Sequence, residues 1–238
     1  MSLKKISIIT VVKNGMPFLE DSIRSFDNQD YKNKEHIIVY SDSKDETENF
    51  LNKFKKSKII VQDYKSKTKF GSLNIGIKLC SGDIIGILHA DDMYPNNTIL
   101  SEVCNFFEKT NADITYGDVK FCDKYNKSKI VRNWKSNQYS KNQLKFGWMP
   151  PHTSIYAKKN ILENNLYSEN YPISGDYKFI LDLFLNQNYK INYINKNLCL
   201  MRTGGDSTHI KGFIKKLRED LLITKSYFKN NYLCVFFK

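Results

Sequence analysis

Several features are scarce or missing in this chain of 238 residues, and each absence excludes something. No stretch approaches about 18 uninterrupted apolar residues, so no membrane-spanning helix is expected. The opening Met1-Ser2-Leu3-Lys4-Lys5 runs directly into a β-branched segment. It shows no apolar h-region with a small-residue cleavage site, so no signal peptide is expected and the chain is expected in the cytoplasm. Cysteine is limited to Cys80, Cys104, Cys122, Cys199 and Cys234, an odd number with no C-x-x-C spacing. Most sit in apolar runs, which predicts small buried hydrophobes in a reducing compartment. No G-x-G-x-x-G follows the first apolar run, which excludes a Rossmann dehydrogenase. Internal repeats and low-complexity linkers are absent from the sequence. Acidic residues are in the minority, with Asp and Glu at 25 against 37 Lys and Arg, a net charge of +12. Such a chain is drawn to polyanions. No basic cluster interleaves with aromatics in a nucleic-acid motif, so phosphorylated substrates or anionic lipid are expected rather than nucleic acid.

What is present suits one α/β domain. Hydrophobic residues make up 41% and charged residues 26%, enough for a core. Ile6 to Val12 is apolar and β-branched, the pattern of a buried parallel strand. Pro17 opens a helical pattern through Leu19, Ile23 and Phe26. A second strand is predicted from His36 to Tyr40 and a third from Lys58 to Gln62. Between them, Ser43-Lys44-Asp45-Glu46 reads as a capping box ahead of Phe50, Leu51 and Phe54. Ser72 to Leu79 reads as a helix closed by a Ser81-Gly82 C-cap, and Asp83 to Leu88 as a fourth strand. A helix through Ile99, Leu100, Val103, Phe106 and Phe107 follows, then strands over Asp113 to Cys122, Lys129 to Trp134 and Ser154 to Ala157. A helix from Asp176 to Leu185 and a strand from Tyr189 to Met201 come next, then a basic amphipathic helix from Ile210 to Lys238.

Alternating strands and helices give a mostly parallel sheet flanked by helices, with ligands at the C-terminal strand ends. The polar clusters Lys13-Asn14, Ser41-Asp42 and Asp91-Asp92 all fall at those ends. Two adjacent carboxylates after a buried strand suit a hard divalent cation that also takes phosphate oxygens, although a helix cap or a solvated turn has the same sequence.

The segments Ile6-Ser-Ile-Ile-Thr-Val-Val-Lys-Asn-Gly15, Ser41-Asp-Ser-Lys-Asp-Glu-Thr47, Asn74-Ile-Gly-Ile-Lys-Leu-Cys-Ser-Gly-Asp83 and Leu88-His-Ala-Asp-Asp-Met-Tyr94 occur in order. Together they resemble the family 2 glycosyltransferases of the GT-A fold, over roughly residues 6 to 207. The opening run and Gln29-Asp30-Tyr31-Lys32-Asn33 are similar to the subgroup that builds bacterial surface polysaccharides. The resemblance implies an inverting transfer from a nucleoside-diphosphate sugar to a glycan or lipid-linked acceptor, with Mg²⁺ or Mn²⁺. It implies Asp92 as metal ligand and Asp91 on the ribose or sharing the metal. It places Val11, Lys13, Asn14, Tyr40, Asp42 and Asn74 at the nucleotide sugar. It makes Asp176, in Ile173-Ser-Gly-Asp-Tyr-Lys-Phe179, the general base; an ordinary helix-start Asp is the alternative. Trp148, His152 and Arg202 resemble the segments that line acceptor or phosphates, with a structural role open for each.

The pattern departs at Tyr40, where the family usually has Asp, and at Leu73, where it often has Arg. Tyr40 could stack on a base and Asp42 could supply the carboxylate, or be a turn residue. Residues 1–95 then form a nucleotide-sugar-binding half, 96–207 an acceptor-binding half of the same domain, and 208–238 a basic tail. In the tail, Lys211, Lys215, Lys216, Arg218, Lys225 and Lys229 give a positive face and Phe213, Leu217, Leu221 and Phe228 an apolar one. Such a helix either docks on an anionic membrane surface or packs its apolar face on the catalytic domain, packing being favoured from Ile210 to Ser226 and membrane contact from Tyr227 to Lys238. The rival functions are a nucleotidyltransferase and a non-catalytic sugar-nucleotide or membrane-binding module.

Overall fold

The computed structural model describes residues 4–54, 58–66, 68–204 and 210–228. The chain runs β1 (Ile6–Val12), α1 (Leu19–Asp27), β2 (Lys34–Tyr40), α2 (Thr47–Asn52), β3 (Ile59–Gln62), α3 (Lys69–Leu79), β4 (Ile84–Ile87) and α4 (Ile99–Thr110). It continues through β5 (Ile114–Cys122), β6 (Ile130–Trp134), α5 (Lys141–Leu144), a 3-10 turn (His152–Ser154), β7 (Tyr156–Lys158), α6 (Lys159–Asn164), α7 (Gly175–Leu185), β8 (Ile191–Arg202) and α8 (Ile210–Phe228). The strands form one sheet in the order β3-β2-β1-β4-β7-β5-β6, with β8 paired to β5.

β1 to β4 are parallel, as their unbroken apolar runs predict, because helices cover both faces of that part of the sheet. β7 enters antiparallel between β4 and β5, β6 is antiparallel to β5, and β8 is parallel to β5. The sheet is therefore mixed, with β6 and β7 reversed. Both halves of the chain contribute to it.

Alternation along β1 and β2 sorts the core. Ile9, Ile37 and Val39 face Phe70, Leu73 and Ile77 of α3 and Ile180 of α7. Ile38, Tyr40 and Val12 face Leu19 and Ile23 of α1 and Leu51 of α2. Ile6, Ile8 and Ile84 pack with Val103 and Phe107 of α4. Cys80, Cys104, Cys122 and Cys199 are buried free thiols, as expected; Cys234 lies outside the described residues.

Four expectations need correction. The Ser43 to Glu46 box does not cap α2, whose N-cap is Glu46 without a side-chain bond. Ser43 and Asp45 instead bind backbone amides of the loop after β1, at Asn14 and Met16. Gly82 is not a left-handed C-cap, since α3 ends at Cys80 in extended backbone. Gly82 is required because a Cβ there would lie 2.5 Å from Ser7 Oγ and 2.9 Å from Lys5 O. Two short helices, α5 and α6, interrupt what the sequence suggested was irregular chain.

The fourth correction concerns α8. Its buried stripe is Glu219, Asp220, Ile223 and Thr224, while Phe213, Ile214, Leu217 and Leu222 are exposed. Of the apolar face predicted to pack on the domain, Phe213 and Leu217 point outward, whereas Leu221 is half-buried and Phe228 packs against the core. Polar partners explain the reversal. Glu219 accepts two backbone amides, Lys216 Nζ meets Asp220 Oδ2 at 2.6 Å, and Tyr227 OH bonds Asp182 of α7. Buried polar groups with such partners carry little penalty. Lys229 and the apolar end from Tyr232 to Phe237 lie outside the described residues, as does the side chain of Lys211.

Candidate active site

The loops after β1 and β2 are laced together at the C-terminal edge of the sheet. Asn14 takes a left-handed backbone, φ 52°, which its short polar side chain tolerates. Its N–H donates to Ser43 Oγ at 3.0 Å and its Oδ1 accepts from Lys44 N at 2.7 Å. Gly15 N donates to Thr47 Oγ1 at 2.8 Å. These bonds fix a ledge on which Lys13 and Asp42 stand exposed and Val11 half-buried. Tyr40, at the end of β2, is 7% exposed and donates its hydroxyl to Gln62 Oε1 on β3 at 3.1 Å.

β4 ends beside this ledge and delivers Asp91 and Asp92. Asp92 is 2% exposed. Its Oδ1 accepts from Arg202 N at 3.2 Å, and its Oδ2 is buried without a hydrogen-bond partner. Burial first, and the Asp91 charge second, push its carboxyl well above the usual range. A buried, unpartnered carboxylate oxygen next to a second carboxylate fits a hard divalent cation. Among the described residues no three His, Cys, Asp or Glu side chains gather into a closed cage. Two protein carboxylates with the remaining positions left to phosphate oxygens or water suit Mg²⁺ or Mn²⁺.

Next to the pair lies a contact that the sequence reading missed. His89 Nε2 and His152 Nε2 are 2.8 Å apart, and His152 Nδ1 is 3.7 Å from Asp176 Oδ2. Burial pushes His89 down to about 3, helped by His152 and by the Lys69 cation. Burial and then Lys69 push His152 down to about 3. Both rings are therefore neutral near pH 7. One Nε2 of the pair donates and the other accepts, and His152 Nδ1 faces Asp176 at a distance longer than a hydrogen bond. The three side chains form a row, His89 to His152 to Asp176. The long last step is of the kind that tightens when substrate binds. His89 stands two residues before Asp91, and its main-chain oxygen accepts from Ser22 Oγ at 3.0 Å and Asp92 N at 3.1 Å.

Asp176 is the second residue of α7. Its Oδ1 accepts from the backbone N of Tyr177 at 2.8 Å, which leaves Oδ2 toward His152. Gly175 before it allows the helix start to lie on Phe70, since a Cβ there would meet the ring at 2.6 Å. Phe70 is itself held by stacking on Tyr167, ring centroids 5.5 Å apart.

Three predicted residues are held by contacts within the fold. Asn74 donates to Tyr167 O at 2.9 Å and accepts from Tyr167 N at 2.8 Å, tying α3 to the chain before α7. Trp148 packs among Tyr116, Tyr139 and Phe184, and its indole N–H donates to Ser136 O at 2.7 Å. Arg202 is 6% exposed, pairs with Asp21, donates to Lys124 O at 2.9 Å and lies over the Phe18 ring. Its contribution to the site is its backbone N–H on Asp92.

A mixed sheet flanked by helices, with β1 to β4 parallel and β7 inserted antiparallel beside β4, is the fold of GT-A glycosyltransferases. Solved structures agree on the fold. Staphylococcus aureus TarS 1-349 in complex with UDP-GlcNAc superposes with TM-score 0.74 at 17% identity, covering 92% of this chain and 65% of that one. The mannosyltransferase PcManGT from Pyrobaculum calidifontis, in complex with GDP-Man and Mn²⁺, gives 0.68 at 14%, covering 94% and 63%. The chain belongs to glycosyl transferase family 2, whose model matches residues 7–165. An uncharacterized glycosyltransferase of Haemophilus influenzae is 28% identical over 248 residues, 99% of this chain and 92% of that one. The Escherichia coli UDP-Glc:alpha-D-GlcNAc-diphosphoundecaprenol beta-1,3-glucosyltransferase WfaP is 29% identical over 117 residues, 49% of this chain and 46% of that one. The chain is a glycosyltransferase, which removes the nucleotidyltransferase and the non-catalytic module from consideration. No helix among the described residues is long and apolar enough to cross a membrane.

Proposed function

We propose that the chain is a metal-dependent, inverting glycosyltransferase that moves a sugar from a nucleoside diphosphate to a hydroxyl of a lipid-linked glycan, in surface polysaccharide synthesis. The observation that carries this reading is the row from Asp91-Asp92 through His89 and His152 to Asp176. The lipid-linked acceptor is suggested by the diphosphoundecaprenol-linked substrate in the name of the E. coli relative. A UDP-sugar is the first donor to test, because that relative and the TarS complex both carry one in their names.

Asp176 takes the proton of the acceptor hydroxyl as its oxygen attacks the anomeric carbon. The bond to the diphosphate breaks on the opposite face, so the configuration inverts and a nucleoside diphosphate leaves. His152 turns Nδ1 toward the base at 3.7 Å, and the Tyr177 amide holds its other oxygen. Asp92 and Asp91 would hold a divalent cation, Mg²⁺ or Mn²⁺, which when bound would neutralise charge on the leaving diphosphate, so that no second carboxylic acid would be needed. Lys69, a cation beside the histidines, adds to that field. Lys13 and Asn14 border the donor, and Tyr40 with Asp42 stands at the nucleobase end.

The outward face of α8 carries Ile214, Leu217 and Leu222 exposed among Lys215, Arg218 and Lys225. It is suited to lie on anionic lipid at the cytoplasmic face of the membrane. Transfer assays that pair UDP- and GDP-sugars with diphosphate-linked lipid acceptors, with Mn²⁺ or EDTA, test the activity. A product with the donor's anomeric configuration would overturn the inverting mechanism. Full EDTA-resistant activity would overturn the metal. Co-sedimentation with phosphatidylglycerol vesicles of the full chain and its L217S/L222S variant tests the surface, and equal binding would remove it.

A further inference from the structure

The helix that carries Asp176 begins without a cap of its own. The first amides of an α-helix have no intrahelical acceptor. Ser174, the N-cap of α7, makes no side-chain capping bond. The acceptor comes from α8 instead. Glu219 Oε2 accepts from Ile173 N at 3.0 Å and from Ser174 N at 2.8 Å, across 46 and 45 residues of sequence. Glu219 is 6% exposed, so these bonds are shielded from water. A carboxylate at this position also opposes the partial positive charge of the helix N-terminus.

The same two helices are joined again near their other ends. Tyr227 OH bonds Asp182, and Lys178 Nζ lies 2.7 Å from Asp182 Oδ2 and 3.1 Å from Tyr227 OH. α7 is thus held at its N-cap and along its length by a helix lying wholly beyond the 7–165 stretch that the family model matches. The hold at the N-cap falls on the residues immediately before Gly175-Asp176.

We infer that Glu219 is a positioning residue for glycosyl transfer, setting the first turn of α7 and with it the reach of Asp176 toward the acceptor. Proton transfer demands that the base be placed within a fraction of an ångström, and a shift of about 1 Å costs on the order of a hundredfold in rate. This inference rests on Asp176 being the base.

The test uses the full chain as wild type, Glu219→Ala, Glu219→Gln and Asp176→Asn. Three readouts are taken: kcat and donor KM for transfer, the stoichiometry of UDP and Mn²⁺ binding by calorimetry, and hydrogen exchange at the Ile173 and Ser174 amides. Glu219→Ala is expected to lower kcat about ten- to a hundredfold. Donor KM and binding stoichiometry should stay the same, and exchange at both amides should accelerate. Glu219→Gln keeps a carbonyl acceptor and is expected to recover most of kcat. Wild-type kcat in Glu219→Ala overturns the inference. So does a fall in kcat matched by a fall in binding stoichiometry, which marks a loss of folded enzyme. Failure of Glu219→Gln to recover activity also overturns it. If Asp176→Asn keeps normal turnover, the reading of the base is at fault, and the exchange rates separately report whether Glu219 caps α7.

Discussion

Asp92→Asn should stabilise the empty enzyme and remove its response to ligand. In wild type without metal, Asp92 holds a carboxylate whose Oδ2 is buried and unpartnered, beside the Asp91 charge. Its folded pKa is raised above the unfolded value, so the native state binds more protons. Stability therefore falls as pH climbs from the unfolded value through the folded one, by about 1.4 kcal/mol for each unit of elevation. Asn keeps Oδ1 for the Arg202 amide and carries no charge. Its Nδ2 lacks a partner, at a cost of about 1–3 kcal/mol, against about 3–5 kcal/mol for an uncompensated buried charge. The net gain at neutral pH is about 2 kcal/mol, or roughly 4–8 °C for a domain of this size. Adding Mn²⁺ and UDP at a hundredfold excess over the dissociation constant should stabilise wild type by about 2.7 kcal/mol and the variant by almost nothing. The two melting curves should therefore change order between EDTA and Mn²⁺–UDP. A variant that melts below wild type in EDTA, or that gains as much from Mn²⁺–UDP, would refute the assignment of Asp92.

Asp176→Asn should lower turnover by about two to four orders of magnitude while calorimetry finds UDP binding unchanged; near-normal transfer would reduce Asp176 to a helix-start residue. His89 and His152 have folded pKa values lowered to about 3, so the unfolded chain binds more protons between there and about 6.5. Their contribution is complete above that window and is lost as pH falls, at up to about 1.4 kcal/mol per unit and imidazole. Urea midpoints should thus drop between pH 7.5 and 5.5, and less in His152→Gln; equal slopes would contradict the neutral pair. Gly175→Ala drives a methyl into the Phe70 ring and should cost about 1–3 kcal/mol of stability, with kcat falling more than donor affinity. A melting temperature equal to wild type would mean that α7 starts farther from Phe70. Tyr40→Asp should change the preference between UDP and GDP in competition calorimetry, and an unchanged preference would remove Tyr40 from the nucleobase end.

The parallel half was legible because β1, β2 and β4 are short β-branched runs whose polar residues begin where the strands stop. Position on such a strand end was enough to single out Asp91 and Asp92. Asp176 was reached through resemblance, since a helix-start Asp has no distinguishing pattern of its own. His89 stood in view two residues before Asp91. Its meaning depends on His152, 63 residues away and brought beside β4 by the turn before β7, a pairing that local periodicity cannot encode. Glu219 was hidden for a related reason. The amphipathic pattern of α8 put Phe213 and Leu217 inside, whereas the helix is oriented by specific partners for Glu219, Asp220 and Tyr227. Asn74, Arg202 and Trp148 were identified by residue type and neighbourhood, and their partners, Tyr167, Lys124 and Ser136, lie far off in the sequence or in irregular chain where no local pattern points to them.

The reversed strand β7 has a consequence for synthesis on the ribosome. β1 to β4 can pair with one another as soon as they emerge, yet the free side of β4 stays open until Tyr156 to Lys158 arrive and match Ile84, Ile85 and Gly86. During that interval the nascent chain exposes an apolar, unpaired edge of the kind that recruits other strands. The first half alone, expressed to residue 95, keeps that edge permanently and should accumulate as aggregate. Residues 1–95 and 96–207 are therefore not exchangeable modules, and chimeras that join such segments of different relatives need a junction beyond β7.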